Sequence, residues 1–309
     1  MKNIDEIKHE KRLYIAFDVG GTHVKHGLLN WEGSFLKKGS YPTPCLDLDQ
    51  FLDQMTHAIT EYKKEHAIQG IAISLPGFIN IETGYSERAG SIRVLDGKNL
   101  KELIEQMTGY QVEIENDGNC AALAEKLNGN AEDCQNFICL TIGTGIGGGI
   151  FINGRILHGS GYKGGEFGFM LTPPSTESKP FMHGNASTSA LIQRYKELKQ
   201  LKEVEAEGEA VFLAAEKDPE IGELLDTWYK NISYGIFNLA VTLNPEKILI
   251  GGGISQREDL IEEILARLNQ IPYWDEFNIS LEPCKHRNDA GMLGALYHFK
   301  TRLAADVIV

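Results

Sequence analysis

The sequence is poor in cysteine and contains no long apolar run. Its five cysteines are scattered along 309 residues and form no Cys-x-x-Cys pair, so we expect reduced thiols and neither a disulfide framework nor a zinc ribbon. No apolar stretch approaches the ~20 residues that a membrane-spanning helix requires. Residues 1–12 are polar and charged rather than signal-like. These absences predict a cytoplasmic protein with no membrane partner.

Positive charge is also scarce. The chain has 30 Lys and Arg against 43 Asp and Glu, which gives a net charge of -13, and it has no cluster of basic residues. A nucleic-acid surface needs such clusters to neutralise phosphates, so we expect no nucleic-acid partner. An anion such as ATP can still be bound, because glycine amides and Mg²⁺ act locally. The apolar share of 42% is that of an ordinary globular protein.

Two glycine-rich turns follow predicted strands. The first is Asp18-Val-Gly-Gly-Thr22 and the second is Thr141-Ile-Gly-Thr-Gly-Ile-Gly-Gly-Gly149. Glycine reaches positive φ at little cost and lets backbone N–H groups approach phosphate oxygens, while threonine adds a hydroxyl donor. Asp18 is suited to hold the Mg²⁺ that accompanies ATP. The phosphate-binding residues predicted in these turns are Gly20, Gly21, Thr22, Thr141, Gly143, Thr144 and Gly145.

Other interpretations of the two turns explain less of the pattern. No Gly-Lys-Ser/Thr triplet follows either turn, so neither is a P-loop. A dinucleotide-binding fingerprint would start a helix where residues 24–29 continue as a strand. A single Gly-Gly turn is most simply a β-hairpin turn, but two turns with matching residues favour two loops that close on one polyphosphate. The pair therefore indicates an ATP-dependent phosphotransferase.

The order of predicted elements is used twice along the chain. Each half begins with a meander of three strands and continues with alternating helices and strands, as judged from the apolar periodicity. This order indicates an internal structural duplication and an α/β fold with helices on both faces of the sheets. The predicted strands are 13–17, 24–29, 34–41, 68–75, 112–115, 137–142, 148–152, 155–157 and 247–250. The predicted helices are 48–65, 100–107, 118–127, 187–243, 257–268 and 289–303.

Five collinear motifs resemble those of the ROK family of sugar kinases, from about residue 13 to residue 303. The resemblance implies a two-domain actin-like ATPase fold, of the ribonuclease H-like kind, and a homodimer. It also implies transfer of the γ-phosphate of MgATP to a sugar hydroxyl, for which the 6-hydroxyl is expected. The implied parts are an extension at 1–12, a smaller lobe at 13–125 plus 290–309, and a larger lobe at 126–289. The motifs are Asp18-Val-Gly-Gly-Thr22, Glu115-Asn-Asp117, Leu140 to Gly149, Gly164-Gly-Glu-Phe-Gly168 and Gly251-Gly-Gly253.

The resemblance assigns roles to residues of these motifs. Asp117 is expected to be the general base that takes the proton of the sugar hydroxyl. From the residues alone, an N-cap of the helix at 118–127 is the alternative role for Asp117. Residues expected to contact the sugar through side chain or backbone are Pro76, Gly77, Asn116 and Glu166. The adenine and ribose are expected to lie against Gly251, Gly252 and Gly253.

The chain departs from the family pattern at the zinc loop. The family has Cys-x-Cys-Gly-x-x-Gly-Cys where this chain runs from Met170 to Ser187 without a cysteine, so we expect no structural zinc. Phe169 replaces the histidine of the family's Glu-x-Gly-His motif and either stacks on a sugar or aglycone or packs in the core. His183 falls near a second sugar-binding glutamate of the family and is either a sugar ligand or a loop residue. Lys25 follows Thr22 by three residues and points either to a phosphate or to solvent. Because the sequence does not choose between these two directions, Lys25 is not counted among the site residues.

The missing zinc loop and Phe169 limit the range of expected acceptor sugars. Some ROK relatives that act on β-glucosides or other non-glucose sugars also lack zinc and carry an aromatic residue at this place. Segment 89–99 also lacks the Asn-Leu-x-x-Trp run typical of glucokinase-like relatives. We therefore expect a hexose or a β-glucoside as acceptor. The alternative is a non-catalytic sugar-sensing protein; a ROK repressor is not expected, since only about a dozen residues precede Tyr14, too few for a helix-turn-helix domain.

Overall fold

The computed structural model describes residues 12–173, 180–201, 208–277 and 279–306. The predicted extension at 1–12 therefore lies outside the described residues, except for Arg12. The strands are β1 (Leu13–Val19), β2 (His23–Asn30), β3 (Phe35–Pro42), β4 (Ile68–Leu75), β5 (Phe78–Asn80), β6 (Tyr85–Arg88), β7 (Lys98–Asn99), β8 (Val112–Asn116), β9 (Phe137–Ile142), β10 (Ile146–Ile152), β11 (Arg155–Ile156), β12 (Lys247–Gly251) and β13 (Ser280–Pro283). The helices are α1 (Leu48–Glu65), α2 (Leu100–Thr108), α3 (Asp117–Asn128), α4 (Met182–Ala186), α5 (Thr188–Leu198), α6 (Gly208–Ala215), α7 (Pro219–Leu243), α8 (Leu260–Leu268), α9 (Trp274–Phe277) and α10 (Ala290–Asp306).

The chain forms two compact units, each built on one five-stranded sheet. The first unit comprises residues 1–132, 158–164 and 288–309, and the second comprises 133–157 and 165–287. The strand order is β3-β2-β1-β4-β8 in the first sheet and β11-β10-β9-β12-β13 in the second. In both, an antiparallel meander precedes two parallel strands reached by crossovers. The shared order confirms the predicted duplication and the α/β class.

Helices cover both faces of the first sheet. Ile15 and Phe17 of β1 belong to an apolar cluster with α1, whereas Tyr14 and Ala16 belong to one with α3 and α10. Successive residues of a strand point to opposite faces, so a strand that is buried on both faces reads as one continuous apolar run. Asp47 caps α1 by accepting a hydrogen bond from the Gln50 backbone. The first unit therefore has a core on each side of its sheet.

One long helix dominates the core of the second unit. Helix α7 begins after Asp218, whose side chain accepts from the Glu220 backbone, and ends at Asn244 in the left-handed conformation. Its buried face carries Trp228 and Ile232, which pack in one cluster with Ile138 of β9 and other apolar residues. This packing fixes the strands that end in the second glycine-rich turn.

Several predicted boundaries are wrong. The helical region predicted at 187–243 contains three helices, the last of which starts at Pro219 after the capping Asp218. Strand β10 begins at Ile146, and the helix predicted from 257 begins at Leu260 after a 3₁₀ helix at Gly253–Gln256. The prediction missed β13 and the small sheet of β5, β6 and β7, whose strands have two to four residues. None of the described helices is long and apolar enough to cross a membrane.

Candidate active site

The central parallel strands of the first unit end at one edge of its sheet. Asp18 in β1 lies in register with Ser74 in β4, and Leu75 lies in register with Asn116 in β8. The carboxyl ends of parallel strands in an open α/β sheet form the usual ligand-binding edge. The buried Ser74 hydroxyl donates a hydrogen bond to Oδ1 of Asp18 over 3.2 Å. The structure thus brings Asp18, Asn116 and the residues after each strand together.

The turn from β8 into α3 presents Asp117. Asn116, not Asp117, is the N-cap of α3: its Oδ1 accepts from the backbone N–H groups of Gly118 (2.8 Å) and Asn119 (3.1 Å). The alternative in which Asp117 caps the helix is therefore wrong. The Asn116 amide also donates to the carbonyl of Gly77 over 2.9 Å, which links this turn to the end of β4. Asp117 is the first helical residue, and its side chain is exposed.

Two influences raise the pKa of Asp117 to about 6. The larger is partial desolvation by the surrounding protein, and the second is the negative charge of Asp18. A hydrogen bond from the Gly118 backbone to Oδ1 of Asp117 (2.9 Å) opposes them. A solvent-accessible carboxylate with a raised pKa is a suitable proton acceptor near neutral pH.

Asp18 is paired but still accessible. The ammonium of Lys25 lies 3.4 Å from Oδ2 of Asp18 and also donates to the carbonyl of Asn288 (3.3 Å), so Lys25 belongs to this edge of the sheet. Gly291 packs directly on the Asp18 carboxylate, and a Cβ at Gly291 would overlap it. Mg²⁺ bound with ATP usually takes one or two protein carboxylates, and phosphates and waters supply its other ligands. Asp18 fits that need as a single carboxylate.

The first glycine-rich turn is a tight hairpin that is also hydrogen-bonded by Thr43, a residue outside the turn. The Gly20 N–H donates to the carbonyl of His23 (3.0 Å), and Thr43 donates to the Gly20 carbonyl through its hydroxyl (2.6 Å). Gly21 and Thr22 are exposed. A Cβ at Gly21 would overlap the hydroxyl of Ser91. The turn is therefore ordered and leaves room for a ligand over its backbone, as phosphate binding requires.

The second unit repeats this arrangement with its own turns. In the β9–β10 turn the Gly143 N–H donates to the Gly145 carbonyl (2.9 Å), and Thr144 is exposed. Thr141 lies in register with Gly251 of β12. Gly252 has φ of 86°, and a Cβ there would overlap the backbone of Ile142. The residues predicted to bind phosphate and nucleoside in this unit therefore lie on two adjacent turns.

Phe169 forms an exposed aromatic platform with two neighbours. It ends a 3₁₀ helix that follows Glu166 and is 59% exposed, so the core-packing alternative is wrong. Its ring stacks on His183 with 6.5 Å between centroids and meets Phe181 edge-on at 5.9 Å. His183 lies in helix α4 rather than in a loop, and its Nδ1 accepts from the Ile146 backbone (3.2 Å). The platform thus directly follows the predicted sugar-binding glutamate.

The His183 ring packs so closely against Gly145 and Gly168 that neither position can carry a side chain without a shift. A Cβ at either glycine would overlap the imidazole ring. The same ring therefore packs against the second phosphate turn and against the Glu166–Gly168 motif. The predicted role of His183 as a direct sugar ligand stays a prediction, but its ring joins two predicted parts of the site.

The contacts of several polar residues near Asp18 and Asp117 were not predicted from the sequence. Ser74 and Lys25 contact Asp18, and Glu115 is fully buried at the end of β8, where it bonds to His158 and His298. A usable signal was the position of Ser74 at the end of an apolar strand that pairs with β1. Glu115 gave a weaker signal, because a carboxylate in a buried strand requires partners.

Comparison with known proteins covers both units. The sequence model of the ROK family matches residues 14–302. A β-glucoside kinase of Listeria monocytogenes is 40% identical over 92% of this chain and 96% of that protein. A solved Listeria monocytogenes structure, described as a candidate N-acetylmannosamine kinase, matches with a TM-score of 0.87 and 37% identity over 94% of this chain and 99% of that one. A ROK glucokinase from Streptomyces griseus, solved with glucose and AMPPNP, matches with a TM-score of 0.77 and 25% identity over 92% of this chain and 98% of that one.

Proposed function

Because the chain belongs to the ROK family, we propose that it is an ATP-dependent kinase that phosphorylates a hexose or a β-glucoside. The proposed acceptor atom is the 6-hydroxyl, and the proposed general base is Asp117. The main support for this proposal is Asp117, an exposed carboxylate whose pKa is raised to about 6. It lies at the same edge of the first sheet as Asp18. Proton removal from an attacking hydroxyl needs such a group within hydrogen-bond reach of the acceptor.

The chain's own residues divide the work of the proposed reaction. Asp117 accepts the proton of the acceptor hydroxyl. Asn116 holds the turn that carries Asp117, because its amide is engaged with the α3 backbone and with Gly77. The backbone N–H groups of the two glycine-rich turns bind phosphate oxygens, and the nucleoside lies along the Gly251–Gly253 turn, in which Gly252 and Gly253 are exposed. MgATP would supply the phosphoryl group, its Mg²⁺ would neutralise phosphate charge, and Asp18 would hold the metal.

Zinc has no part in the proposed site. The sequence from Leu171 to Asn185 contains no cysteine, and residues 174–179 of this segment lie outside the described residues. Histidine and cysteine side chains are the usual ligands of structural zinc. The expected lack of structural zinc therefore stays a prediction from the sequence, and metal analysis of the purified protein would test it.

A β-glucoside is the acceptor that the aromatic platform favours. Phe169 and Phe181 are 59% and 37% exposed and meet edge-on, so they offer apolar surface that a lone glucose ring does not need. Aromatic rings bind apolar groups and other rings through both area and geometry. A 40% identical relative is named a β-glucoside kinase. We therefore place the aglycone, or the second sugar of a disaccharide, against Phe169.

A panel of acceptors tests the proposed function. ADP release should depend on both MgATP and sugar, and gentiobiose, cellobiose or aryl β-glucosides should give higher kcat/KM than glucose. The phosphorylated position of the product should be the 6-hydroxyl by nuclear magnetic resonance. No sugar-dependent ADP release with any hexose or β-glucoside would contradict the kinase proposal and favour a sugar-binding protein without turnover.

Replacing Phe169 by alanine should cost activity on β-glucosides selectively. An aromatic contact contributes about 1 kcal/mol beyond buried area, so kcat/KM for an aryl β-glucoside should fall about tenfold when area loss is added, with a smaller loss for glucose. Phe169→Tyr keeps the ring and should retain activity. Tyr273→Ala, which removes a 69% exposed ring elsewhere in the same unit, is the matched control. Equal losses for glucose and the β-glucoside would contradict the aglycone assignment.

The activity should fall on the acid side of neutrality. A general base works when ionised, and the raised pKa of Asp117 brings its protonation close to neutral pH. We expect kcat/KM for the sugar to reach half of its plateau near pH 6 and about one tenth near pH 5. A flat kcat/KM profile from pH 8 to pH 5 would contradict this role.

A further inference from the structure

A buried carboxylate lies directly before the proposed catalytic turn. Glu115 is 0% exposed. Its Oε1 accepts from the backbone N–H of Asn116 (2.8 Å) and from the side-chain amide of Asn119 (2.9 Å). Its Oε2 lies 2.7 Å from Nε2 of His158 and 3.3 Å from Nδ1 of His298. Oε1 thus accepts two hydrogen bonds, and Oε2 has one hydrogen-bond partner and a second imidazole nitrogen close by, so the buried charge is well compensated.

The cluster pairs one ionised carboxylate with two imidazole rings. Burial alone would raise the pKa of Glu115, but the hydrogen bond from His158 and the neighbouring His298 hold it below its usual value. Burial lowers the pKa of His298. Its buried Nε2 has no hydrogen-bond partner among the described residues, as suits the ring nitrogen without a proton. The other ring nitrogen, Nδ1, lies 3.3 Å from Oε2 of Glu115.

Glu115 forms hydrogen bonds with residues on both sides of Asp117 in the chain. Asn116 precedes Asp117 in the chain, and Asn119 follows it by two positions. The carboxylate therefore bonds to the backbone on one side of Asp117 and to a side chain on the other. Movement of the β8–α3 turn would break at least one of these bonds, so the carboxylate restricts where Asp117 lies.

His158 ties a second segment to the same carboxylate. It begins residues 158–164, a stretch that belongs to the first unit although the chain before and after it belongs to the second. Within this stretch the Gly164 N–H donates to the His158 carbonyl (2.9 Å), and Lys163 pairs with Glu87 (2.8 Å). The chain then continues through Gly165 to Glu166, the proposed sugar ligand. The His158–Glu115 bond therefore fixes the start of the segment that leads to Glu166.

We propose that Glu115 and His158 are positioning residues that hold the Asp117 turn and the segment leading to Glu166 through one shared carboxylate. This inference rests on the proposed kinase function. A displacement of about 1 Å at a catalytic group can cost about 100-fold in rate. Loss of the link should therefore lower kcat through Asp117 and raise the sugar KM through Glu166. A contact that served stability alone would change the amount of folded protein and leave both constants unchanged.

Amide substitutions of the two histidines test the geometry. The Gln amide nitrogen occupies the place of Nε2, whereas that of Asn occupies the place of Nδ1. His158→Gln should thus keep kcat/KM within about threefold of wild type, and His158→Asn should lose about 10- to 100-fold. For His298 the order reverses, so His298→Asn should be the better tolerated variant. His66→Asn is the control, since His66 lies 3.8 Å from the exposed Glu65 carboxylate on the surface.

Hydrogen exchange gives a readout that does not depend on turnover. In His158→Asn, the backbone amides of Gly118 and Asn119 and those of residues 158–164 should lose protection together, while α7 keeps its protection. If the wild-type protein releases no ADP with any sugar, the proposed function fails, and hydrogen exchange alone decides this inference. Wild-type exchange and kinetics in His158→Asn would overturn it. So would an equal loss of protection throughout both units, because that result indicates a general effect on stability.

Discussion

Asp117→Asn should reduce kcat about 1,000-fold, which corresponds to about 4 kcal/mol of transition-state stabilisation. The amide cannot accept the proton of the acceptor hydroxyl, and no other described carboxylate has both the exposure of Asp117 and its place after β8. The substitution keeps the local structure, because Oδ1 of asparagine can still accept from the Gly118 N–H that bonds to Asp117. The sugar dissociation constant, measured by calorimetry, should stay within about threefold of wild type.

The melting temperature separates lost chemistry from lost folding. The raised pKa of Asp117 means that the fold disfavours its charged form, so the neutral asparagine should melt no lower than wild type. Asp49→Asn is the matched control, because Asp49 is an exposed carboxylate in the first turn of α1 in the same unit. It makes the same change of charge at a helix start and should keep wild-type kcat. A loss in Asp117→Asn of less than tenfold would contradict the role of general base.

The edge of the first sheet was predictable because it follows from topology. Apolar runs that end in Asp18, in Pro76–Gly77 and in Asn116–Asp117 predict parallel strands, and parallel strands place their carboxyl ends together. The structure shows those strands in register. Helix α1 was also predicted to the residue, because its six buried apolar side chains recur at helical spacing.

The polar partners of this edge could not be predicted from local patterns. The alternation in Val112-Glu-Ile-Glu115 suggests that the two glutamates face solvent. Both are buried instead: Glu113 pairs with Lys101 (3.0 Å), and Glu115 bonds to His158 and His298 from distant parts of the chain. Local sequence does not report such contacts, because they depend on which segments the fold places over the strand.

The sequence left open whether Phe169 is exposed or packs in the core. Phenylalanine is often fully buried, so its position in the motif alone did not choose between the two. In the structure the ring lies on the surface because the 3₁₀ helix directs Phe167 into the core (3% exposed), which leaves Phe169 on the other side. The orientation is thus set by the backbone of a three-residue turn, and this turn decides whether an aromatic residue packs or is available to an aglycone.

Gly294→Ala should lower the stability of the first unit by about 3 kcal/mol, despite a gain of about 1 kcal/mol in helix propensity. Helix α10 approaches α3 so closely at Gly294 that a Cβ would overlap the backbone carbonyl of Cys120. A backbone group cannot rotate away as a side chain can, so the two helices must separate and lose part of their shared apolar contact. The expected drop in melting temperature is about 6–12 °C.

The effect of Gly294→Ala should extend to catalysis, because α3 begins at Asp117 and α10 carries His298. Separation of the helices moves the proposed base away from the site, so kcat of the protein that remains folded should also fall. Gly222→Ala is the matched control: it lies in α7, its added Cβ would meet the nearest atom at 3.7 Å, and it should be neutral or stabilising by up to about 1 kcal/mol. The melting temperature and kcat of both variants test whether the close contact of α3 and α10 is needed. If Gly294→Ala melts as high as Gly222→Ala, close contact between α3 and α10 is not what holds Asp117 in place, and the β8–α3 turn with Glu115 must do so alone.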